Sequence, residues 1–217
     1  MSRIAIVGGH GKIALLLIEQ LRSRSHEVVA LVRNPAHVAD VEERGATARM
    51  LDIESADADA FAAAFEGCHA VVFAAGGGPD GNIGRKRSVD LEGSLKSIEG
   101  ARIAGISRFV QVSAIGVDLP LPEDTDAVWR AYVEAKRDAD VALRESGLDW
   151  TIVRPGALTD DEPRGTVRLA ESVARGEVPR ADVAAVLAES LDTGHGIGRQ
   201  WDLVSGDTPV PEAVAQG

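Results

Sequence analysis

From Arg3 to about residue 154 short aliphatic runs alternate with longer stretches of helical character, and few architectures satisfy that alternation. Strands are expected at Arg3–Val7, Glu27–Val32, Ala46–Leu51, Ala70–Ala74, Arg108–Ser113 and Trp150–Val153. These runs are apolar at successive positions, so both faces of each strand must be covered, as in a parallel sheet with helices on both sides. The helices expected between them are Lys12–Ser23, Asp57–Phe65, Val89–Ala104 and Val128–Glu145. Gly45, Gly67, Gly105 and Gly147 each stand between a helix and the next strand, where a left-handed cap is expected. Beyond residue 154 Pro155, Gly156, Pro163, Gly165, Gly176 and Pro179 break the chain into short pieces before a last helix, Ala181–Asp192, and a last strand, Gln200–Val204. The chain therefore reads as one α/β domain over residues 1–217, with residues 155–180 a small insertion on the substrate side and a small C-terminal appendage.

Composition narrows the function classes. The 217 residues are 45% hydrophobic and 26% charged, as in globular proteins, which excludes disorder, collagen and coiled coil. Lys and Arg total 23 against 34 Asp and Glu, a net charge of −11, and a field of that sign repels nucleic acid and anionic lipid. Neither is expected as a partner. Cys68 is the single cysteine and the five His are scattered, so neither a disulfide nor a structural zinc is expected. Met1-Ser2-Arg3 runs straight into Ile4, without a signal-peptide pattern, and the longest apolar run, Ile13–Ile18, is far short of the roughly 20 residues of a membrane helix. A cytoplasmic protein, monomer or homodimer, is expected.

The first strand ends in Val7-Gly8-Gly9-His10-Gly11-Lys12-Ile13-Ala14, a G-x-x-G-x-x-A loop that opens directly into a helix. Gly8 permits the tight turn, Gly11 lets backbone approach a pyrophosphate, and the helix N-terminus meets its charge. That context makes the fold Rossmann-like and doubly wound, with Gly8, His10, Gly11, Lys12 and Ile13 as dinucleotide contacts. The second strand ends Val32-Arg33-Asn34, with Arg33 where an NAD site places an acid. An Arg there accommodates the 2′-phosphate of NADP, so NADP is favoured and NAD stays possible. Asp52, followed by Ile53, is either an acceptor for the adenine amino group or the cap of a turn. Ala74, Ala75 and Gly76, continuing into Gly77 and Gly78, leave room for the adenosine half.

Tyr132 and Lys136 lie four apart on one helical segment and share a face. A neighbouring ammonium is expected to lower the Tyr132 pKa from its ordinary value of about 10, fitting it to exchange a proton with a carbonyl or alcohol. Ser113 ends the fifth strand at the rim of the crevice, placed to hold the substrate oxygen, or else to bond its own turn.

These residues resemble the short-chain dehydrogenase/reductase superfamily, and within it the small atypical NAD(P)-binding branch related to NmrA-like proteins and to biliverdin/flavin reductases. The likeness runs through the Gly8/Gly11/Ala14 loop, Leu31-Val32-Arg33, Val112-Ser113-Ala114, Tyr132 with Lys136, Gly147 to Gly156, Pro179 to Ala184 and Gly206-Asp207-Thr208-Pro209. It implies a catalytic group of Ser113, Tyr132 and Lys136, with Lys136 also on the nicotinamide ribose, and a nicotinamide pocket lined by Pro155 and Gly156. One departure concerns the helix after the fourth strand, where many relatives have Asn and this chain has Asp90. A proton relay through that position is open.

Few residues follow Lys136, so a small carbonyl, quinone or flavin-like substrate is expected rather than a nucleotide sugar. Gly116–Ala127 and Ala157–Glu177 would wall its site, and Asp118, Glu123, Asp124 and Asp126 disfavour polyanions. Trp129 is read as packing rather than as a stacking platform. The reading is an NADP-preferring oxidoreductase. The alternatives are a non-catalytic NAD(P)-sensing regulator and an NAD-dependent sugar epimerase/dehydratase-like enzyme.

Overall fold

The computed structural model describes residues 1–78 and 81–217. In chain order its elements are β1 (Arg3–Val7), α1 (Lys12–Ser23), β2 (Glu27–Val32), α2 (Val38–Glu43), β3 (Thr47–Met50), α3 (Ala58–Ala64), β4 (Ala70–Phe73) and α4 (Ile83–Arg85). A π-helical stretch (Lys86–Leu91) then leads into α5 (Glu92–Ile103), β5 (Arg108–Val112), α6 (Ala127–Glu145), β6 (Asp149–Pro155), β7 (Ala157–Thr159), β8 (Thr166–Ala170) and β9 (Glu177–Pro179). The chain closes with α7 (Arg180–Thr193), β10 (Arg199–Ser205), β11 (Thr208–Pro209) and α8 (Val210–Gln216).

The main sheet has the order β11-β8-β10-β6-β5-β4-β1-β2-β3. From β3 to β10 every pairing is parallel, and β8 joins β10 antiparallel. Within the C-terminal appendage β8 and β10 extend the sheet, while β7 and β9 form a separate parallel pair. The two-residue period of a strand divides β1 between two cores: Ile4 and Ile6 pack with Leu17, Ile18 and Leu21 of α1 and Leu187 of α7. Ala5 and Val7 pack on the other face with Phe61, Phe73, Phe109 and Leu143. Both cores are fully buried, which explains the unbroken aliphatic runs of the central strands.

After β3 the chain crosses back over β1 to form β4, so the strand order reverses at β1. That reversal opens a crevice at the carboxyl ends of β1 and β4, where open α/β sheets bind ligands. Gly45, Gly67, Gly105 and Gly147 have φ of +88°, +74°, +72° and +77°, the left-handed caps expected. The helix expected over Val89–Ala104 differs at its start, where the chain is π-helical to Leu91.

Candidate active site

Two adjoining cavities occupy the crevice. The first, about 280 Å³, is lined by Gly8, His10, Gly11, Arg33, Asp52, Ile53 and Ala74 to Gly76, together with His37, Glu54 and Arg85. Gly8 has φ +80°, and a Cβ there would lie 2.7 Å from Ala75 Cα, so the turn and the close approach of β4 both require glycine. Gly11 caps α1 with no side chain accepting from the first helical N–H groups. A chain that leaves those donors uncovered beside a glycine cradle fits a dinucleotide pyrophosphate.

At the far end of this cavity Arg33 Nη1 lies 3.1 Å from Glu54 Oε2. His10 and His37 stack with centroids 3.6 Å apart, and His10 Nε2 meets Asp40 Oδ2 at 2.7 Å. Asp52 lines the cavity and also accepts from Glu54 N at 3.1 Å, so its side chain caps a turn. Lys12 is not brought to either cavity. Its ammonium turns outward to Asp160, which also accepts from Arg180 Nη1 at 2.6 Å.

The second cavity, about 840 Å³, collects Ile13, Ala74, Ala75, Gly76, Ser113, Tyr132, Lys136, Pro155 and Gly156. It shares Ala74 to Gly76 with the first, so one continuous groove runs from Arg33 to Tyr132. Gly77 and Gly78, read from sequence as room for adenosine, line this second cavity instead. Gly77 N–H donates to Asp90 Oδ2 at 2.8 Å. Asp126, Leu158 and Arg175 come from the two segments expected to form walls, and Trp129 joins them from α6. Trp129 is 45% exposed and its ring lies 5.3 Å from that of Tyr132, so it faces the cavity rather than the core, contrary to the packing expectation. Asp126 at the N-cap of α6, accepting from Val128 N and Trp129 N, holds its indole at the mouth.

Lys136 is buried, its Nζ donating to Val112 O at 3.1 Å and lying 3.3 Å from Asp90 Oδ1. Burial alone lowers an ammonium pKa, but Asp90, Tyr132 and Asp140 together carry Lys136 above its ordinary value, so it stays charged. For Tyr132 the balance is the reverse of the sequence expectation. Burial raises its phenol above the ordinary value, outweighing Lys136, and Asp90 and Asp140 raise it further. Tyr132 is therefore a protonated acid at neutral pH. Lys86, buried in the π-helical stretch, adds a second ammonium 5.8 Å from the Tyr132 ring centroid and donates to Gly78 O.

Ser113 does not bond its own turn. Its hydroxyl donates to Asp140 Oδ2 at 2.7 Å, and Asp140 also accepts from Gln111 Nε2 at 2.7 Å and Arg154 Nε at 2.8 Å. Burial pushes the Asp140 carboxyl up from its ordinary value, against the pull of Arg154 and the two neutral donors. Arg154 reaches on to Asp118 Oδ2 at 2.6 Å, tying β6 to the segment that follows β5. Sequence reading passed over Asp140, Glu54 and Lys86. Only Asp140 left a signal, since it continues the spacing of Tyr132 and Lys136 along α6.

The fold and the groove define an NAD(P)-binding protein with a Rossmann-like sheet. A family model described as NAD(P)H-binding matches residues 8–194, and the chain belongs to that family. YhfK of Bacillus subtilis (strain 168), named an uncharacterized sugar epimerase, is 37% identical over 213 residues, covering 98% of both chains. A solved Bacillus halodurans protein described as a "putative NAD-dependent epimerase/dehydratase" is 39% identical over 100% of each chain, with a TM-score of 0.92. ChuY, an anaerobillin reductase from Escherichia coli O157:H7, is 25% identical with a TM-score of 0.78, over 95% of this chain and 98% of that one. The structural neighbours thus include reductases, as the resemblance implies.

Proposed function

We propose that this chain is an NADP-preferring oxidoreductase that acts on a small carbonyl, quinone or flavin-like compound, with Tyr132 as proton donor. The observation that carries the reading is that Ser113, Tyr132 and Lys136 line one cavity continuous with the glycine cradle. Gly8, Gly11 and the open end of α1 are the groups for the pyrophosphate, Arg33 for the 2′-phosphate, and Pro155 with Gly156 for the nicotinamide. When bound, the nicotinamide exchanges hydride with the substrate.

The side chains supply the proton and the orientation. Tyr132, protonated at neutral pH, gives its hydroxyl proton to the substrate oxygen as negative charge builds there. The charged Lys136 stabilises the phenolate left behind, and Asp90, with Val112 O, holds that ammonium in place. Ser113, its own proton directed to Asp140, offers lone pairs to a substrate or product hydroxyl. At neutral pH the phenol therefore stands in the protonated form that reduction of a carbonyl requires.

Tyr132→Phe tests the reading. With NADPH and a panel of carbonyls and quinones, the variant is expected to lose about a hundredfold or more in kcat while its NADPH dissociation constant stays within about twofold. Full turnover in the variant overturns the role of Tyr132. A flat calorimetric trace for both NADPH and NADH overturns the cofactor assignment.

A further inference from the structure

At the adenosine end of the groove a carboxylate already occupies the place where cations from two elements converge. Glu54 follows β3, and its Oε2 lies 3.1 Å from Arg33 Nη1, at the end of β2, and 3.7 Å from Arg85 Nε, at the end of α4. Its Oε1 accepts from Ser88 Oγ of the π-helical stretch at 2.7 Å. Arg33, Glu54 and Arg85 all line the first cavity, and only a third of the Glu54 side chain is exposed. Two guanidinium groups and a hydroxyl around two oxygens are the donors a carboxylate takes, and equally those a phosphoryl group takes.

We propose that Glu54 is an internal counter-ion that holds Arg33 and Arg85 in position and is displaced when the 2′-phosphate of the nucleotide arrives. Glu54 thereby sets how strongly the protein discriminates between the phosphorylated and unphosphorylated forms. This rests on the reading of the groove as an NAD(P) site with the 2′-phosphate at Arg33. Before the nucleotide arrives, the carboxylate offsets the mutual repulsion of the two guanidinium groups. A phosphoryl dianion brings more charge and a third oxygen, so it takes the same donors more strongly. The displaced carboxylate then stands beside a like charge at a partly screened site. Glu54 therefore costs affinity for the phosphorylated nucleotide and little for one that ends in a hydroxyl. The sequence hides this arrangement, because the acid comes from the end of β3 whereas an NAD site draws its acid from β2.

Calorimetric titration of 2′,5′-ADP and of 5′-AMP into the wild type and Glu54→Gln reads the effect without any hydride transfer. The expected result is that the variant binds 2′,5′-ADP about fivefold or more tightly than the wild type does. Its affinity for 5′-AMP is expected to stay within about twofold, and in an Arg33→Gln background, where Arg85 alone faces Glu54, the gain for 2′,5′-ADP from Glu54→Gln is expected to shrink. A loss confined to 5′-AMP makes Glu54 a ribose ligand and overturns the proposal. So does an unmoved ratio, or the same change with and without Arg33. If the wild type binds neither nucleotide, the cofactor reading falls and this proposal with it. If it binds both and the ratio stays put in the variant, this proposal falls alone.

Discussion

Tyr132 and Asp140 show how far a side chain's chemistry depends on what covers it. The phenol and the ammonium are legible as a pair from their spacing, but the direction of the Tyr132 shift is not, because burial is a tertiary fact. Raised above its ordinary value of about 10, the phenol favours the folded state in its neutral form. That contribution is complete at pH values below the unfolded pKa and is lost as pH climbs through the raised folded value. Alkaline denaturation is the check: as pH rises above the ordinary phenol value of about 10, the wild type should lose stability more steeply than Tyr132→Phe. Asp140 is not legible in the sequence because a carboxylate on a long helix ordinarily faces water, whereas here Gln111, Ser113 and Arg154 meet it from the sheet. Asp140→Ala removes the buried partner of a guanidinium that is 4% exposed and leaves it only Asp118 at the surface, so urea unfolding should show a loss at the low end of about 3–5 kcal/mol. Asp140→Asn keeps an acceptor for Ser113 and should lose less.

Among elements, those buried on both faces were the most legible. β1, β2 and α1 begin and end where the aliphatic runs and the glycine loop place them. The short strands β7, β9 and β11 left no signal, since two or three residues carry no period. The π-helical stretch was likewise unreadable, yet it carries Lys86 and Asp90 into the second cavity and Ser88 to Glu54. Such wide turns recur at functional sites, because an extra residue in the turn re-aims the side chains around it. The helix that carries Tyr132 depends on its first turn. Asp126 accepts from two N–H groups at the start of α6, and Asp126→Ala should cost about 1 kcal/mol in a chemical denaturation curve. Activity should fall as well, because Trp129 and Tyr132 lie within the first two turns of the same helix.

At the scale of the molecule, the charge of −11 sets up a field that repels nucleic acid and anionic lipid but conceals a local inversion. Lys86, Lys136, Arg175 and Arg180 line the second cavity against Asp90 and Asp126, so the groove is cationic within an acidic protein. Composition cannot report that, since it averages over the surface. A ligand that binds only the folded chain stabilises it by about 2.7 kcal/mol at a hundred times its dissociation constant. For a chain of this length that corresponds to a rise in Tm of roughly 5–10 °C. Scanning calorimetry with NADPH and NADH at equal concentration should therefore rank the two, NADPH giving the larger rise.

The rims of the main sheet constrain how copies of this chain can meet. At one rim β11 is two residues long and ends in Pro209, which has no N–H to donate. At the other, β3 has four residues, and Arg49 from it bends away to the carbonyls of Ala64 and Glu66. Neither border offers a long row of unpaired backbone groups for a neighbour to zip onto. Among the described residues these two rims therefore disfavour strand-to-strand addition between copies, and crowding during synthesis finds little template there for runaway pairing.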